Sequence, residues 1–218
     1  MSATGSTVYL LDDEPGLVKA LTRLLTAEGF AVQGYTSVKA FSEAYQPGSV
    51  SCLILDVAMP ELNGLELQQQ LTRAGIVQPI VFLTGHGDIP MSVKAIKAGA
   101  VDFLTKPVKD IDLIRAVRAA LRRAAEQCEQ LTDVALLRQR YSSLTPREGE
   151  VMAHVVAGQL NKQVAGALGI GEHTIKVHRA RIMEKMAVES LADLVRAAER
   201  LGLGKPVAGN QRTTTAGR

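Results

Sequence analysis

Five polar side chains stand at the ends of four apolar stretches of the sequence. They are Asp12, Asp13, Asp56, Thr84 and Lys106. The carboxylates offer the hard oxygen ligands that Mg²⁺ prefers, and an ammonium and a hydroxyl suit the oxygens of a phosphoryl group. If the apolar stretches are parallel strands, their carboxyl ends meet at the ligand-binding edge of one sheet. The sequence therefore predicts a site for a divalent cation and a phosphoryl group.

The apolar stretches alternate with amphipathic ones over about the first 125 residues. The predicted strands cover about residues 7–11, 30–34, 52–56, 79–84 and 101–105. The third and fourth are almost continuously apolar, as expected of strands buried on both faces. Between them, leucines recur at helical spacing. This alternation predicts an α/β doubly wound domain, with helices on both faces of a parallel sheet.

The composition narrows the class of protein. With 218 residues, of which 46% are hydrophobic, the chain suits two domains with apolar cores. Its apolar stretches are shorter than the roughly 20 residues of a transmembrane helix, and its N-terminus lacks a signal-peptide pattern. The two cysteines, Cys52 and Cys128, show no zinc-ligand spacing and fit a reducing compartment. We therefore expect a cytoplasmic protein without a membrane partner.

The charge is unevenly distributed along the chain. Residues 1–126 carry 12 Lys and Arg against 13 Asp and Glu, whereas residues 127–218 carry 13 against 9. This difference predicts an acidic site in the first part and a polyanionic partner for the second.

A helix is predicted from near Asp110, and residues 124–142 continue it as a helical linker because they contain neither Gly nor Pro. Leu121, Cys128 and Leu131 form either a weak coiled-coil seam or part of a solvated helix.

A new helix is predicted to begin after Thr145, which is a helix N-cap and forms a capping box with Glu148. Four helices are predicted at about 146–157, 161–168, 172–186 and 190–201. They give an all-α domain at 143–203, and residues 204–218 are predicted to be a disordered tail.

Four motifs of the first domain resemble those of the receiver domain of two-component response regulators, over residues 7–123. They are LDD at 11–13, LDVAMP at 55–60, LTGHGD at 83–88 and AGAVDFLTKP at 98–107. The resemblance implies a flavodoxin-like fold of five parallel strands in the order 2-1-3-4-5. It also implies that Asp56 accepts a phosphoryl group from a phosphohistidine of a sensor histidine kinase.

The resemblance also assigns the other residues of the site. Mg²⁺ is expected on Asp12, Asp13, Asp56 and the backbone carbonyl of Ala58, while Thr84 and Lys106 contact the phosphoryl oxygens. The Lys106–Pro107 peptide bond is expected to be cis. Phe103 is either a switch residue or an ordinary core residue. An activated dimer is expected to form through Met91, Val93, Ile96 and Lys97.

The second domain resembles the LuxR-type helix-turn-helix of the NarL/FixJ family, and its motifs resemble the FixJ branch most. They are LTPRE at 144–148, GQLNKQVA at 158–165 and LGIGEHTIKVH at 168–178. A recognition helix is expected after Gly171, with Ile175, Ile182 and Met183 buried. The resemblance directs Lys176 and Val177 to base edges. Phosphate-contacting or helix-positioning roles are expected for Lys162, Thr174, His178, Arg179 and Arg181.

The leading hypothesis is that the protein is a transcription factor whose activity is controlled by phosphorylation. Its expected partners are a sensor histidine kinase, double-stranded promoter DNA, a second copy of the chain and RNA polymerase. The alternative is an aspartyl-phosphate phosphohydrolase, but such enzymes use a second acid two residues after the nucleophile, where this chain has Ala58. A third class, a receiver that only binds partners, does not require Thr84 and Lys106 beside the acids. We therefore expect no enzymatic activity beyond phosphoryl acceptance and self-dephosphorylation.

Overall fold

The computed structural model describes residues 5–60, 62–85 and 89–203. The predicted tail at 204–218 lies outside the described residues. By its internal contacts the chain divides into a first unit, Met1–Gln130, and a second unit, Leu131–Arg218. Among the described residues, every helix is too short or too polar to cross a membrane.

The first unit is built on a sheet of five parallel strands in the order 2-1-3-4-5, numbered along the chain, which confirms the predicted topology. The strands are β1 (Thr7–Leu11), β2 (Ala31–Tyr35), β3 (Ser51–Asp56), β4 (Ile80–Thr84) and β5 (Asp102–Thr105). All residues of β3 and β4 are buried, as their continuous apolar sequences predict. The predicted bounds are within one residue of the observed ones.

Helices connect the strands and cover both faces of the sheet. They are α1 (Pro15–Ala27), α2 (Val38–Ala44), α3 (Gly64–Arg73), α4 (Ile89–Lys97) and α5 (Asp110–Ser142). One apolar layer contains Leu21, Leu25 and Val117, and the other contains Phe41 and Leu67. Successive strand residues contribute to opposite layers, because side chains alternate across a strand.

The second unit is helical: α6 (Pro146–Val156), α7 (Asn161–Leu168), α8 (Glu172–Met186) and α9 (Leu191–Arg200). The predicted capping box of Thr145 and Glu148 is present at the start of α6. Gly169 ends α7 in the left-handed region, with a φ of 66° that favours glycine. Val151, Val164 and Ile175 are among the fully buried residues of its core.

The last turns of α5 belong to the second unit rather than to a free linker. Leu137 is buried in the core of that unit, and Tyr141 packs against it. Arg200 of α9 donates a hydrogen bond of 3.0 Å to Asp133. Leu131 is 67% exposed, and its pairing in a coiled coil stays a prediction.

One predicted core residue of α8 is placed differently. Ile175 and Ile182 are buried, but Met183 is half-buried and Met186 is the third buried side chain. Positions four apart lie on the same face of a helix, whereas adjacent positions diverge by about 100°. Met186 therefore follows Ile182 into the core, and Met183 lies at the edge of that face.

Candidate functional site

Three carboxylates meet at the carboxyl ends of β1 and β3. One oxygen from each of Asp12, Asp13 and Asp56 lies within 4.8 Å of the others. Asp12 and Asp56 are buried, whereas Asp13 is more accessible. Buried carboxylates this close repel one another unless a cation compensates them. The donor set therefore fits a divalent cation with oxygen ligands.

Backbone hydrogen bonds around the site join its loops to the sheet. The N–H of Glu14 donates to Asp12 Oδ1 at 3.0 Å. The N–H of Val57 donates to the carbonyl of Leu83 at 3.0 Å, and that of Lys106 donates to the carbonyl of Thr84 at 2.7 Å. The bonds of Val57 and Lys106 extend the parallel pairing past the strand ends, so that the residues next to them follow the geometry of the sheet.

Lys106 lies between the two buried carboxylates. Its Nζ is 2.7 Å from Asp12 Oδ2 and 3.3 Å from Asp56 Oδ1. The side chain is 16% exposed. The Lys106–Pro107 bond is cis, as predicted. One ammonium thus compensates part of the negative charge of two acids.

The titration of the site reflects this balance. Burial raises the pKa of Asp56, Lys106 counteracts that rise, and Asp12 adds to it. Burial acts to lower the pKa of Lys106, but the hydrogen bond and charge of Asp12, with Asp56, leave it raised. The protein therefore favours a charged lysine and disfavours a charged Asp56 when no other cation is bound.

A cavity of about 360 Å³ opens beside these residues. Its lining includes Asp13, Asp56, Ala58, Thr84 and Lys106. Of these, Thr84 and Asp56 are buried and Ala58 is exposed. The cavity brings the expected phosphoacceptor, hydroxyl and ammonium around one space that can hold a phosphoryl group.

Two contributors to the site are not among the sequence-predicted site residues. Glu14 Oε1 lies 3.5 Å from Lys106 Nζ and adds a third carboxylate to its surroundings. A Cβ on Gly64 would lie 2.3 Å from the carbonyl oxygen of Asp56. The pair Asn63–Gly64 is a turn signal, but it does not show that α3 begins against the phosphoacceptor.

The proposed switch and dimer residues lie on the neighbouring elements β5 and α4. Phe103 is partly buried, and its ring centroid is 6.1 Å from that of Phe82. Val93 and Ile96 are 44% and 47% exposed, while Met91 is half-buried and lines the cavity. The remaining residue of the proposed dimer face, Lys97, is exposed.

The proposed DNA-contacting residues lie on α7 and α8. Lys176 and Val177 are exposed on α8, as expected of residues that meet base edges. Arg179 Nη1 donates to Asn161 Oδ1 on α7 at 2.7 Å. This hydrogen bond holds the guanidinium in place and joins the two helices. Of the other proposed contacts, Lys162, Thr174 and Arg181 are exposed and His178 is half-buried.

Comparison with known protein families identifies the class of protein to which this chain belongs. Residues 8–118 match the response regulator receiver domain, and residues 142–198 match the bacterial regulatory proteins of the luxR family. The chain therefore belongs to the two-component response regulators that carry a LuxR-type DNA-binding domain. It is a member of the NarL/FixJ family, on the FixJ-like branch, as its motifs predict.

Individual relatives match over nearly the whole chain. The response regulator protein TodT of Pseudomonas putida is 48% identical over 201 residues, which cover 92% of this chain and 88% of TodT. The transcriptional regulatory protein FixJ of Rhizobium meliloti is 40% identical over 201 residues, covering 92% and 98% of the two chains. The solved structure of the response regulator StyR is 44% identical with a TM-score of 0.78, covering 90% and 99%.

Proposed function

We propose that Asp56 is the phosphoacceptor through which a sensor histidine kinase controls DNA binding by this protein. The observation that carries the proposal is the convergence of Asp13, Asp56, Thr84 and Lys106 at one cavity, with the buried Asp12 beside Lys106. The match of the second part of the chain to the luxR family supports promoter DNA as the target of that control.

In the proposed reaction, an Asp56 carboxylate oxygen attacks the phosphorus of a phosphohistidine. The new P–O bond forms as the P–N bond to the kinase imidazole breaks, and the leaving imidazole keeps the bonding electrons and takes up a proton from solvent. Lys106 provides positive charge, and the Thr84 hydroxyl donates to a phosphoryl oxygen of the product. Asp12, Asp13, Asp56 and the Ala58 carbonyl would hold Mg²⁺, which would supply positive charge against the developing phosphoryl charge.

The second step of the proposal is dimerisation through α4. Val93 and Ile96 expose apolar surface on the helix that borders the cavity, and Met91 connects that helix to the site. A change at the phosphoryl group therefore has a short physical route to this face. Phe103 either takes part in that change or serves as a core residue.

A dimer then binds DNA through two copies of α8. A single small helix-turn-helix makes few contacts, whereas a second copy binds its half-site at high effective concentration. We expect half-sites in inverted or imperfect repeat, about one helical turn apart. RNA polymerase is the partner proposed for the promoter-bound dimer.

The alternative of a phosphohydrolase lacks support from the site geometry. The position where such an enzyme needs its acid/base carboxylate holds Ala58, which lines the cavity without an ionisable group. A receiver that only binds partners does not need an ammonium within 3.3 Å of the phosphoacceptor. We therefore propose that the chemistry is limited to phosphoryl acceptance and self-dephosphorylation.

The proposal is tested by incubating the full chain with Mg²⁺ and a small phosphodonor such as acetyl phosphate. We expect stoichiometric labelling, an increase in sedimentation to that of a dimer, and slow loss of the label. Asp56→Asn keeps the shape of the side chain without its nucleophilic oxygen and serves as the control. Continuous phosphate release from many organic monoesters would instead support the phosphohydrolase.

A further inference from the structure

The carboxyl-terminal end of α8 is held by polar contacts to the end of α5 and the start of α6. Lys185 Nζ lies 2.6 Å from Glu148 Oε2 and 3.2 Å from the carbonyl oxygen of Ser143. Arg140 Nη1 donates to the carbonyl oxygen of Met186, the last residue of α8, at 3.3 Å. All of these residues belong to the second unit.

Glu148 is buried and makes further hydrogen bonds in this group. Its Oε2 also accepts from the N–H of Thr145 at 2.8 Å, and its own N–H donates to Thr145 Oγ1 at 3.3 Å. The hydrogen bond from Lys185, followed by that from Thr145, holds the pKa of Glu148 at about 2. The carboxylate therefore stays charged at physiological pH, and its ion pair with Lys185 persists.

These contacts lie far along α8 from the residues proposed to read DNA. Lys185 lies nine positions after Lys176, and at a rise of about 1.5 Å per residue this is about 14 Å along the helix axis. Helix-turn-helix proteins contact base edges with the first residues of the recognition helix. The contacts of Arg140, Glu148 and Lys185 hold the opposite end of the same helix.

We propose that Arg140, Glu148 and Lys185 are positioning residues for DNA recognition. They set the tilt of α8 so that Lys176 and Val177 meet base edges, and they do not contact DNA themselves. This inference rests on the proposed role of α8 in reading DNA. Hydrogen bonds to base edges are directional, whereas attraction to phosphates tolerates a changed tilt. Loss of the positioning group therefore reduces sequence discrimination more than general DNA affinity.

The test uses Arg140→Met, Glu148→Gln and Lys185→Met in the full chain. Glutamine at Glu148 preserves the capping box while it removes the charge. Arg138→Met is the matched control, because Arg138 is exposed and lies on α5, the helix that carries Arg140. The probes are a duplex selected from a random pool by the phosphorylated parent protein and a scrambled duplex of equal length.

We expect each positioning variant to lose about tenfold in affinity for the selected duplex. Affinity for the scrambled duplex should stay within about twofold, and the salt dependence should be unchanged. The loss in Glu148→Gln is the most informative, because removing a negative charge would otherwise strengthen DNA binding. The Arg138→Met control should discriminate between the duplexes as the parent does.

The opposite pattern would overturn the proposal. If Lys185 contacts a phosphate, Lys185→Met weakens both duplexes and lowers the salt slope by about one per subunit, while Glu148→Gln binds more tightly. If a single variant unfolds, the double variant Glu148→Gln/Lys185→Met is used, because it leaves no unpaired buried charge. A double variant that melts and discriminates like the parent also overturns the proposal, whereas one that stays folded and loses discrimination supports it.

The proposed reading role of α8 can fail separately. If Lys176→Ala discriminates between the two duplexes as well as the parent does, α8 does not read the bases. That result refutes the proposed role of the helix, whatever the positioning variants show.

Discussion

Replacing Lys106 by Met should destabilise the first unit when no metal is bound. The ammonium lies 2.7 Å from Asp12 and 3.3 Å from Asp56. With an effective dielectric constant of about 20, these attractions are worth about 6 and about 5 kcal/mol before desolvation is counted. Because desolvation offsets much of this, breaking such a buried pair costs about 3–5 kcal/mol. We expect the free energy of unfolding to fall by about 3 kcal/mol, because Asp56 can take up a proton in the variant and so avoid an uncompensated charge.

The effect should depend on pH and on Mg²⁺. Lys106 opposes the upward shift in the pKa of Asp56, so its removal raises that pKa further. A carboxyl group whose pKa is higher in the folded state reduces stability as pH rises above its unfolded value, here 3.8. The difference in stability between variant and parent should therefore be smaller below about pH 4 and largest near neutral pH. Added Mg²⁺ should restore stability by binding the folded state.

The assay is urea unfolding read by hydrogen exchange in peptides from β3. This readout follows the first unit by itself, which matters because a chain of two units need not unfold in one step. Lys39→Met, an exposed lysine on α2, is the control and should change stability by less than about 0.5 kcal/mol. The role described for Lys106 is wrong if Lys106→Met lowers the free energy of unfolding by less than about 1 kcal/mol at pH 7 without metal, and if Mg²⁺ does not stabilise the variant. Lys106 would then not compensate the charge of the two acids.

Three further predictions address the backbone, the dimer and the DNA. Gly64→Ala places a methyl group against the Asp56 carbonyl oxygen. We therefore expect the free energy of unfolding in urea to fall by about 1–3 kcal/mol and labelling by the phosphodonor to slow. Unchanged labelling kinetics would contradict the close approach. Ile96→Glu should weaken the phosphorylated dimer in sedimentation without changing the label, whereas Val77→Glu, also at an exposed position, should not; equal dimerisation in both would exclude the α4 face. Lys176→Ala should cost about 1–3 kcal/mol at one base per half-site, and Arg181→Ala should weaken all sequences and lower the salt slope by about one per subunit. Binding to single-base variants of the selected duplex separates them, and a uniform loss in Lys176→Ala would make it a phosphate contact.

The central strands β3 and β4 could be predicted because they are buried on both faces. Continuous apolar sequence marks β3 and β4, where burial is complete. The edge strand β2 is half-exposed, so its pattern is weaker and its predicted position is one residue early. The order of the strands came from the family resemblance, since the apolar pattern does not state which strands are neighbours.

The polar site residues could be predicted from their places at strand ends, but their surroundings could not. The distance of Glu14 from Lys106 depends on two loops that are far apart in sequence. The contact of Gly64 with Asp56 depends on how α3 begins, which a turn signal does not define. Likewise, helical periodicity in α5 does not show that Leu137 packs in the core of the second unit.

Control of DNA binding through Asp56 is tested most directly by comparing DNA binding before and after phosphorylation in one preparation of the full chain. Affinity for the selected duplex is measured with and without acetyl phosphate and Mg²⁺, for the parent and for Asp56→Asn in parallel. The parent should bind more tightly after treatment, with the phosphoryl group mapped to Asp56 by mass spectrometry, and the variant should show neither change. An equal gain in affinity by Asp56→Asn would contradict control of DNA binding through this aspartate.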